Sequence, residues 1–359
     1  MKATLILQDG TELGGVSFGA QNPSAGEVVF STGMMGYPES LTDPSYKGQI
    51  LVLTYPIVGN YGVPDKSLWE AGQIMVSGLI VSNYIDTPSH FQSRRTLAQW
   101  FKDENIPLVE IKDTRFLTQK IRETGTMLGK ITFGKDIAWY DPDKDNLVSQ
   151  VSISDVTLNR PVRRAKKTIL LIDCGAKRNI ERALLKRGVN VLTIPWDFDP
   201  FNSDNDRRLQ KLLGKKTKLF DGILISNGPG DPRFVKKTVN TIKQAMERDL
   251  PLLGICLGHQ LMALAGGGKT GKLKYGHRSQ NQPCTLAGSE RCFITTQNHG
   301  FSLTDIPAGF SPWFTNANDG SNEGLLHADK PWMSVQFHPE ATPGPMDTEW
   351  VFDYFLEKI

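Results

Sequence analysis

Apolar residues are distributed in two different ways along the chain, and the change comes near residue 168. Beyond it, Ile169-Leu170-Leu171-Ile172, Val189 to Ile194, Gly222 to Ser226 and Pro251 to Ile255 are short, nearly unbroken apolar runs. Runs of this kind mark strands buried on both faces. Between them, Asn179 to Arg187, closed by Gly188, and Phe234 to Arg248 read as helices, and Met333 to Phe337 reads as a further strand. Alternating strands and helices predict an α/β fold, a mostly parallel open sheet with helices on both faces.

Residues 1–140 lack that rhythm and are rich in glycine and turn signals. Ala3 to Leu7, running into Asp9-Gly10, reads as a strand entering a hairpin turn, and Gly26 to Phe30, Gln49 to Thr54 and Gln73 to Val81 as further strands. Ser93 to Glu104 reads as a helix, with Leu97, Trp100 and Phe101 at helical spacing, and Asp113 to Glu123 as a shorter one. This is the pattern of a strand-rich α+β domain. Residues 141–167 turn polar and charged, although Leu147 to Val156 has the composition of a strand that packs on one of its neighbours. The organisation expected is a domain over 1–150, a linker over 151–167 and a second domain over 168–359.

Composition narrows the classes of function. The 359 residues carry a net charge of +3 spread throughout, which makes no electrostatic case for nucleic acid. The clusters Arg163-Arg164-Ala165-Lys166-Lys167 and Lys215-Lys216 read as solvated linker or loop charges. Four cysteines, at 174, 256, 284 and 292, form no CxxC pair, which fits a reducing cytoplasm. The apolar run in MKATLILQDGTEL is too short for a signal peptide, and no segment approaches the length of a membrane span. The sequence has no metal-ligand cluster and no Gly-x4-Gly-Lys-Ser/Thr phosphate loop.

Candidate chemistry concentrates in Pro251 to Gly267, where a strand runs into Cys256 and Leu257 to Ala265 continues as a helix. Gly254-Ile255-Cys256-Leu257-Gly258 has the shape of a nucleophile elbow with sulfur in place of oxygen. A side chain held on a sharp strand-to-helix turn crowds the backbone on either side, so the positions two before and two after must be nearly atom-free. The turn also puts the thiol at a helix start, where unpaired N–H groups favour a thiolate. Such a nucleophile needs a base. His259 follows Cys256 by three residues on the same helix and points away, whereas His338 sits at the end of the last strand in His338-Pro339-Glu340. Alternation along an extended chain would put Glu340 on the same side as His338, where it can orient the ring. The loop Ser226-Asn227-Gly228-Pro229-Gly230-Asp231-Pro232 follows another strand and lies where ligands sit in such sheets.

Gly-Ile-Cys-Leu-Gly-His-Gln, Ser-Asn-Gly-Pro-Gly-Asp-Pro and Gln-Phe-His-Pro-Glu together resemble the class I (triad) glutamine amidotransferases across 168–359. The stretches Ser31 to Glu39, Leu41 to Tyr46 and Thr54 to Gly62 resemble the N-terminal domain of carbamoyl-phosphate synthase small chains, which other amidotransferases do not share. The resemblance implies hydrolysis of L-glutamine, with ammonia passed to a separate large subunit that uses ATP and Mg and serves pyrimidine and arginine synthesis. It implies no cofactor on this chain. By the same match, Cys256 attacks the carboxamide, His338 moves the protons and Glu340 holds His338. Backbone N–H groups at Leu257 and in the Gly228–Gly230 loop would meet the oxyanion. Ser45, Gly228, Gly230, Leu257, Gln260, Asn298, Gly300 and Phe301 would contact the glutamine, with Ser45 bringing the first domain to the site. One stretch departs from the family: Ser279 and Gln282 in Gly276 to Pro283 stand where glycine and histidine are usual.

Three other readings compete with this one. An amidotransferase of another synthetase would lack the GYPESLTDPSY and TYPIVGNYG stretches, and a catalytically inactive regulatory relative would lose the cysteine. A peptidase with the same elbow is compatible with the fold alone.

Overall fold

The computed structural model describes residues 1–359 apart from 164, 215 and 216, so part of the basic clusters at 163–167 and all of Lys215-Lys216 lie outside the described residues. The chain divides into two compact units, one formed by Met1–Leu147 with Lys274–Gln280, the other by Val148–Leu273 with Asn281–Ile359. None of the described helices is long and apolar enough to cross a membrane.

In the first unit, β1 (Lys2–Leu7), β2 (Glu12–Ser17), β3 (Ser24–Ser31), β4 (Gln49–Leu53), β5 (Gly78–Val81), β6 (Leu108–Glu110) and β7 (Met127–Thr132) close into a barrel in the order β1-β2-β6-β5-β4-β3-β7. The hairpin at Asp9-Gly10 joins β1 to β2, but β3–β4, β4–β5 and β5–β6 pair in parallel. Strand β4 is buried on both faces: Ile50 and Val52 join one apolar cluster with Leu5, Ile80 and Ile131, while Leu51 and Leu53 join another with Trp100 and Phe101. The short helix α1 (Tyr37–Leu41) precedes a 3-10 turn, Pro44–Tyr46. Helix α2 (Leu97–Asp103) starts later than its apolar spacing suggests, because Thr96 caps it by accepting the Gln99 N–H at 3.1 Å. Helix α3 is Thr114–Thr124. The strand expected from Gln73 begins only at Gly78. The preceding residues spend their donors elsewhere, Met75 N–H on the Leu41 carbonyl and Ser77 N–H on that of Gln49.

In the second unit the sheet runs β14-β13-β15-β16-β17-β12-β11-β9-β10-β8. Its parallel centre is β10 (Asn190–Pro195), β9 (Thr168–Asp173), β11 (Gly222–Ile225), β12 (Leu252–Ile255) and β17 (Trp332–Val335). The antiparallel side is β13 (Lys269–Leu286, whose stretch Lys274–Gln280 groups with the first unit), β14 (Cys292–Asp305), β15 (Phe310–Asn316) and β16 (Asn322–His327). Successive residues of the central strands enter opposite clusters, which is why these strands read as unbroken apolar runs. Ile169, Leu171 and Leu253 pack with α4 (Arg178–Lys186) and α8 (Trp350–Leu356). Leu170, Ile172 and Leu252 pack on the other face with α5 (Ser203–Leu213), α6 (Lys236–Glu247) and α7 (Leu257–Ala265).

Residues 151–167, expected as a linker, group with the second unit instead. Among them β8 (Thr157–Asn159) adds an antiparallel edge to β10, and the Ile153 N–H is bound by the buried Asp173 carboxylate at 2.7 Å. The stretch from Leu147 begins as a 3-10 turn, Leu147–Gln150, rather than a strand.

Candidate active site

The carboxyl ends of β11, β12 and β17 lie side by side, and each delivers one part of the site. Cys256 follows β12 directly at φ 53 and ψ −103, with its N–H on the Val335 carbonyl at 2.8 Å. A non-glycine residue with positive φ is strained by about 1–3 kcal/mol, and the surroundings must hold it there. The two flanking glycines show how. A Cβ on Gly254 would lie 2.6 Å from the Gly258 backbone, and one on Gly258 would lie 2.2 Å from the Ile225 carbonyl oxygen. The turn therefore closes only because both positions lack a side chain.

The loop after β11 is fitted in the same way. A Cβ on Gly228 would meet the Cys174 carbonyl oxygen at 2.1 Å and the Leu257 side chain at 2.8 Å, so this backbone runs directly beside Leu257. Gly230 has φ 81, a conformation that suits glycine. Two backbone stretches with amide donors are thus brought together next to the sulfur. The Cys256 thiol itself points at the Asn298 carbonyl, at 3.8 Å, and is 2% exposed.

The structure brings His338 and Glu340 together, through a different local geometry from the one expected. Strand β17 ends at Val335, and residues 338–341 form a turn closed by the Ala341 N–H on the His338 carbonyl, at 3.2 Å. His338 is fixed to β14 by its N–H on the Thr296 carbonyl at 2.9 Å, and its Nδ1 meets Glu340 Oε1 at 2.7 Å. Its Nε2 has no hydrogen-bond partner among the described residues, and the Cys256 sulfur is among the groups that set its charge. Burial by itself would make the ring lose its proton more readily. Glu340 and Cys256 outweigh that, and the pKa of His338 is raised.

The sequence reading did not single out Lys177. Its side chain is 1% exposed, its Nζ lies 3.1 Å from Glu340 Oε1, and it also donates to the Ala341 carbonyl. Asn179 Nδ2 donates to the Glu340 carbonyl at 2.5 Å and to Thr342 Oγ1 at 2.7 Å. These contacts hold a turn whose next residues, Ala341 and Thr342, both have positive φ. Burial would raise the Glu340 carboxyl, but Lys177 and then His338 hold it well below the usual carboxylate range. A signal existed in the sequence. Lys177 is the N-cap of α4, where a cation opposes the helix dipole and makes no cap bond, so its charge needs a partner outside the helix.

The remaining expected residues occupy distinct places. Gln260, on α7, donates to the Phe301 carbonyl at 2.8 Å and to Gln336 Oε1 at 3.0 Å. His299 Nδ1 also meets the Phe301 carbonyl, at 2.8 Å, which ties the stretch carrying Asn298, Gly300 and Phe301 into β14. Ser45 belongs to the first unit, where its N–H is bound by Asp43 Oδ1 at 2.9 Å within the 3-10 turn. His259 turns away from the sulfur to Ser334 Oγ at 2.9 Å, and burial lowers its pKa to about 3. Cys174 and Cys284 are buried thiols that burial pushes up, whereas Cys292 is exposed. At the departing stretch, Ser279 is buried and Gln282 Oε1 accepts from Asn316 and Asn318 at 3.4 and 3.3 Å.

A sulfur, an imidazole oriented by a carboxylate, and backbone donors beside the sulfur are the parts needed to cleave an amide through a thioester. Residues 170–358 match the family model described as glutamine amidotransferase class-I, and residues 5–131 match the carbamoyl-phosphate synthase small chain, CPSase domain. Similar relatives include the multifunctional protein CAD of Squalus acanthias, 48% identical over 371 residues, and the multifunctional protein URA2 of Saccharomyces cerevisiae, 44% identical over 400. A third is the mitochondrial carbamoyl-phosphate synthase (ammonia) of Homo sapiens, 43% identical over 371. Each alignment takes in 99% of this chain but only 16%, 17% and 24% of the relative, so the chain spans about a sixth to a quarter of their length.

Two measurements test this geometry. Gly258→Ala forces a methyl group against the fixed Ile225 carbonyl and is expected to cost about 3 kcal/mol or more in chemical denaturation, the upper end of overpacking losses. Lys177→Met leaves Glu340 buried without its ammonium partner and is expected to cost about 3–5 kcal/mol. Because the folded pKa of Glu340 is depressed from 4.5, its stabilisation is present above 4.5 and is lost as pH falls. That of His338, raised from 6.5, is present below 6.5 and is lost as pH rises. Acid unfolding of Lys177→Met should therefore begin at a higher pH than in the parent. An unchanged acid limb would show that Lys177 does not hold the carboxylate charge.

Proposed function

The chain belongs to the class-I glutamine amidotransferases and carries a carbamoyl-phosphate synthase small-chain domain, and we propose that it hydrolyses L-glutamine to supply ammonia for carbamoyl phosphate synthesis. The observation that carries this reading is that Cys256 and His338 follow the paired strands β12 and β17, with His338 bonded to Glu340 at 2.7 Å. Overall similarity does not decide the nitrogen donor, since one relative at 43% identity is named for ammonia. The intact cysteine and its oriented histidine favour glutamine.

In the proposed reaction the Cys256 sulfur attacks the carboxamide carbon. The Leu257 N–H and the Gly228–Gly230 loop meet the oxyanion, and His338 delivers a proton to the departing ammonia. Water, activated by His338, then cleaves the thioester and releases glutamate. Glu340 keeps the ring in position and Lys177 keeps Glu340 ionised. Gln260, Asn298, Gly300 and Phe301 would hold the glutamine.

The partner proposed is a large synthetase portion, separate or fused, that binds ATP and Mg and consumes the ammonia for pyrimidine and arginine synthesis. A cytoplasmic setting agrees with four free cysteines.

With that partner, Cys256→Ser is expected to lose glutamine-dependent synthesis by several orders of magnitude, the scale of deleting a triad member, while synthesis from ammonium salt continues. Loss of both activities in an assembled complex would refute the division of labour. Glu340→Gln should slow glutamine hydrolysis by less than His338→Asn, because a base without its guide still takes protons. The reverse order, read from kcat/KM, would reassign the roles.

A further inference from the structure

We propose that a cleft within the first unit binds a small organic anion carrying a phosphate or carboxylate group. The cleft encloses about 560 Å³, a size that suits a metabolite, and runs between the start of β3, the stretch before β5 and the end of α2. Its walls are held by bonds that cross it. Ser24 Oγ donates to the Ser77 carbonyl at 2.6 Å, Asn22 Nδ2 donates to the Asn105 carbonyl at 3.1 Å, and the Ile74 N–H donates to Glu104 Oε2 at 2.5 Å. The shape therefore does not have to be built by a ligand.

The charges in the cleft are out of balance. Lys47 lines it half-buried, yet it makes no ion pair or side-chain hydrogen bond with any described residue. A partly desolvated ammonium without a counter-charge is unfavourable, and an anion in the cleft would relieve it. Lys66, the second lysine of the lining, is exposed, lies with its Nζ 5.6 Å from the Trp69 ring, and has no carboxylate partner among the described residues. Glu104, the one acidic residue of the lining, has its oxygens fixed by neutral donors, Oε1 by Trp100 Nε1 at 2.6 Å and Oε2 by the Ile74 N–H, and sets one negative charge against the two ammonium groups. The amides of Gln73 and Asn105 add neutral donors at the same rim. Two ammonium groups against one carboxylate leave a preformed polar cleft with net positive charge, which selects a ligand of negative charge, and neutral amides beside them suit one with further oxygen atoms.

The test is calorimetric titration of the full chain with inorganic phosphate and, separately, succinate. Saturable one-site binding of either with a Kd near or below about 1 mM is expected. Binding of phosphate alone assigns a phosphoryl ligand, and binding of succinate alone a carboxylate. Lys47→Gln and the exposed variant Lys66→Gln should each weaken that binding about tenfold or more, with thermal melting confirming that both are folded. Lys144→Gln, a charge-matched change outside the cleft, should leave it alone. No binding of either anion up to about 10 mM overturns the proposal. So does binding that the two cleft variants leave within about twofold, or that Lys144→Gln weakens equally.

Discussion

At Gly258 the first turn of α7 lies so close to the end of β11 that an added Cβ would sit 2.2 Å from the Ile225 carbonyl oxygen. That approach determines what surrounds it. With α7 pressed onto the sheet, the chain must leave β12 through Cys256 in a left-handed conformation, and the sulfur is left at the carboxyl edge of the strands. The same closeness brings the Gly228 backbone against Leu257, so that the donors beside the sulfur come from two loops packed without a gap. Hydrophobic packing on that face of the sheet then locks the arrangement, because Leu257, Leu261 and Met262 of α7 belong to the same cluster as Ile223 and Ile225 of β11.

Charge is handled by a second layer behind the sulfur. His338, Glu340 and Lys177 are all nearly without exposure, and isolated charges there would be very unfavourable. As a chain of alternating sign they compensate one another, with the Glu340 carboxylate between Lys177 and His338. The ring is thereby fixed through Nδ1, and Nε2 is left for the sulfur side. Orientation of the base is a property of three residues drawn from two separate stretches, the entry to α4 and the turn after β17.

Much of this was legible in the sequence, and the reason differs from part to part. The central strands announced themselves because alternate residues such as Leu170 and Leu171 feed opposite clusters, which leaves few polar positions. The elbow announced itself through two glycines whose spacing answers a local steric demand. What stayed hidden depends on partners far away in the chain. Closure of the barrel rests on β1 pairing with β7, Thr4 opposite Thr132, and no local pattern encodes that. The edge strand β8 is three residues long and polar, so it resembled a linker until its pairing with β10 was seen. Lys177 lay hidden for a similar reason, since the carboxylate that explains it is 163 positions further on.

The left-handed backbone at Cys256 has a consequence for how this domain can change over time. Every side chain but hydrogen is strained at that position, so the fold would be easier to maintain with glycine there than with the residue that gives it a nucleophile. A copy of the domain released from the need for amide cleavage would shed that backbone strain by losing the side chain, and only the packing of the buried sulfur in the core would oppose the drift. A cysteine kept at such a position therefore sets a standing backbone strain against the packing of its sulfur and the use of its thiol, a balance that a core residue in relaxed backbone never has to strike.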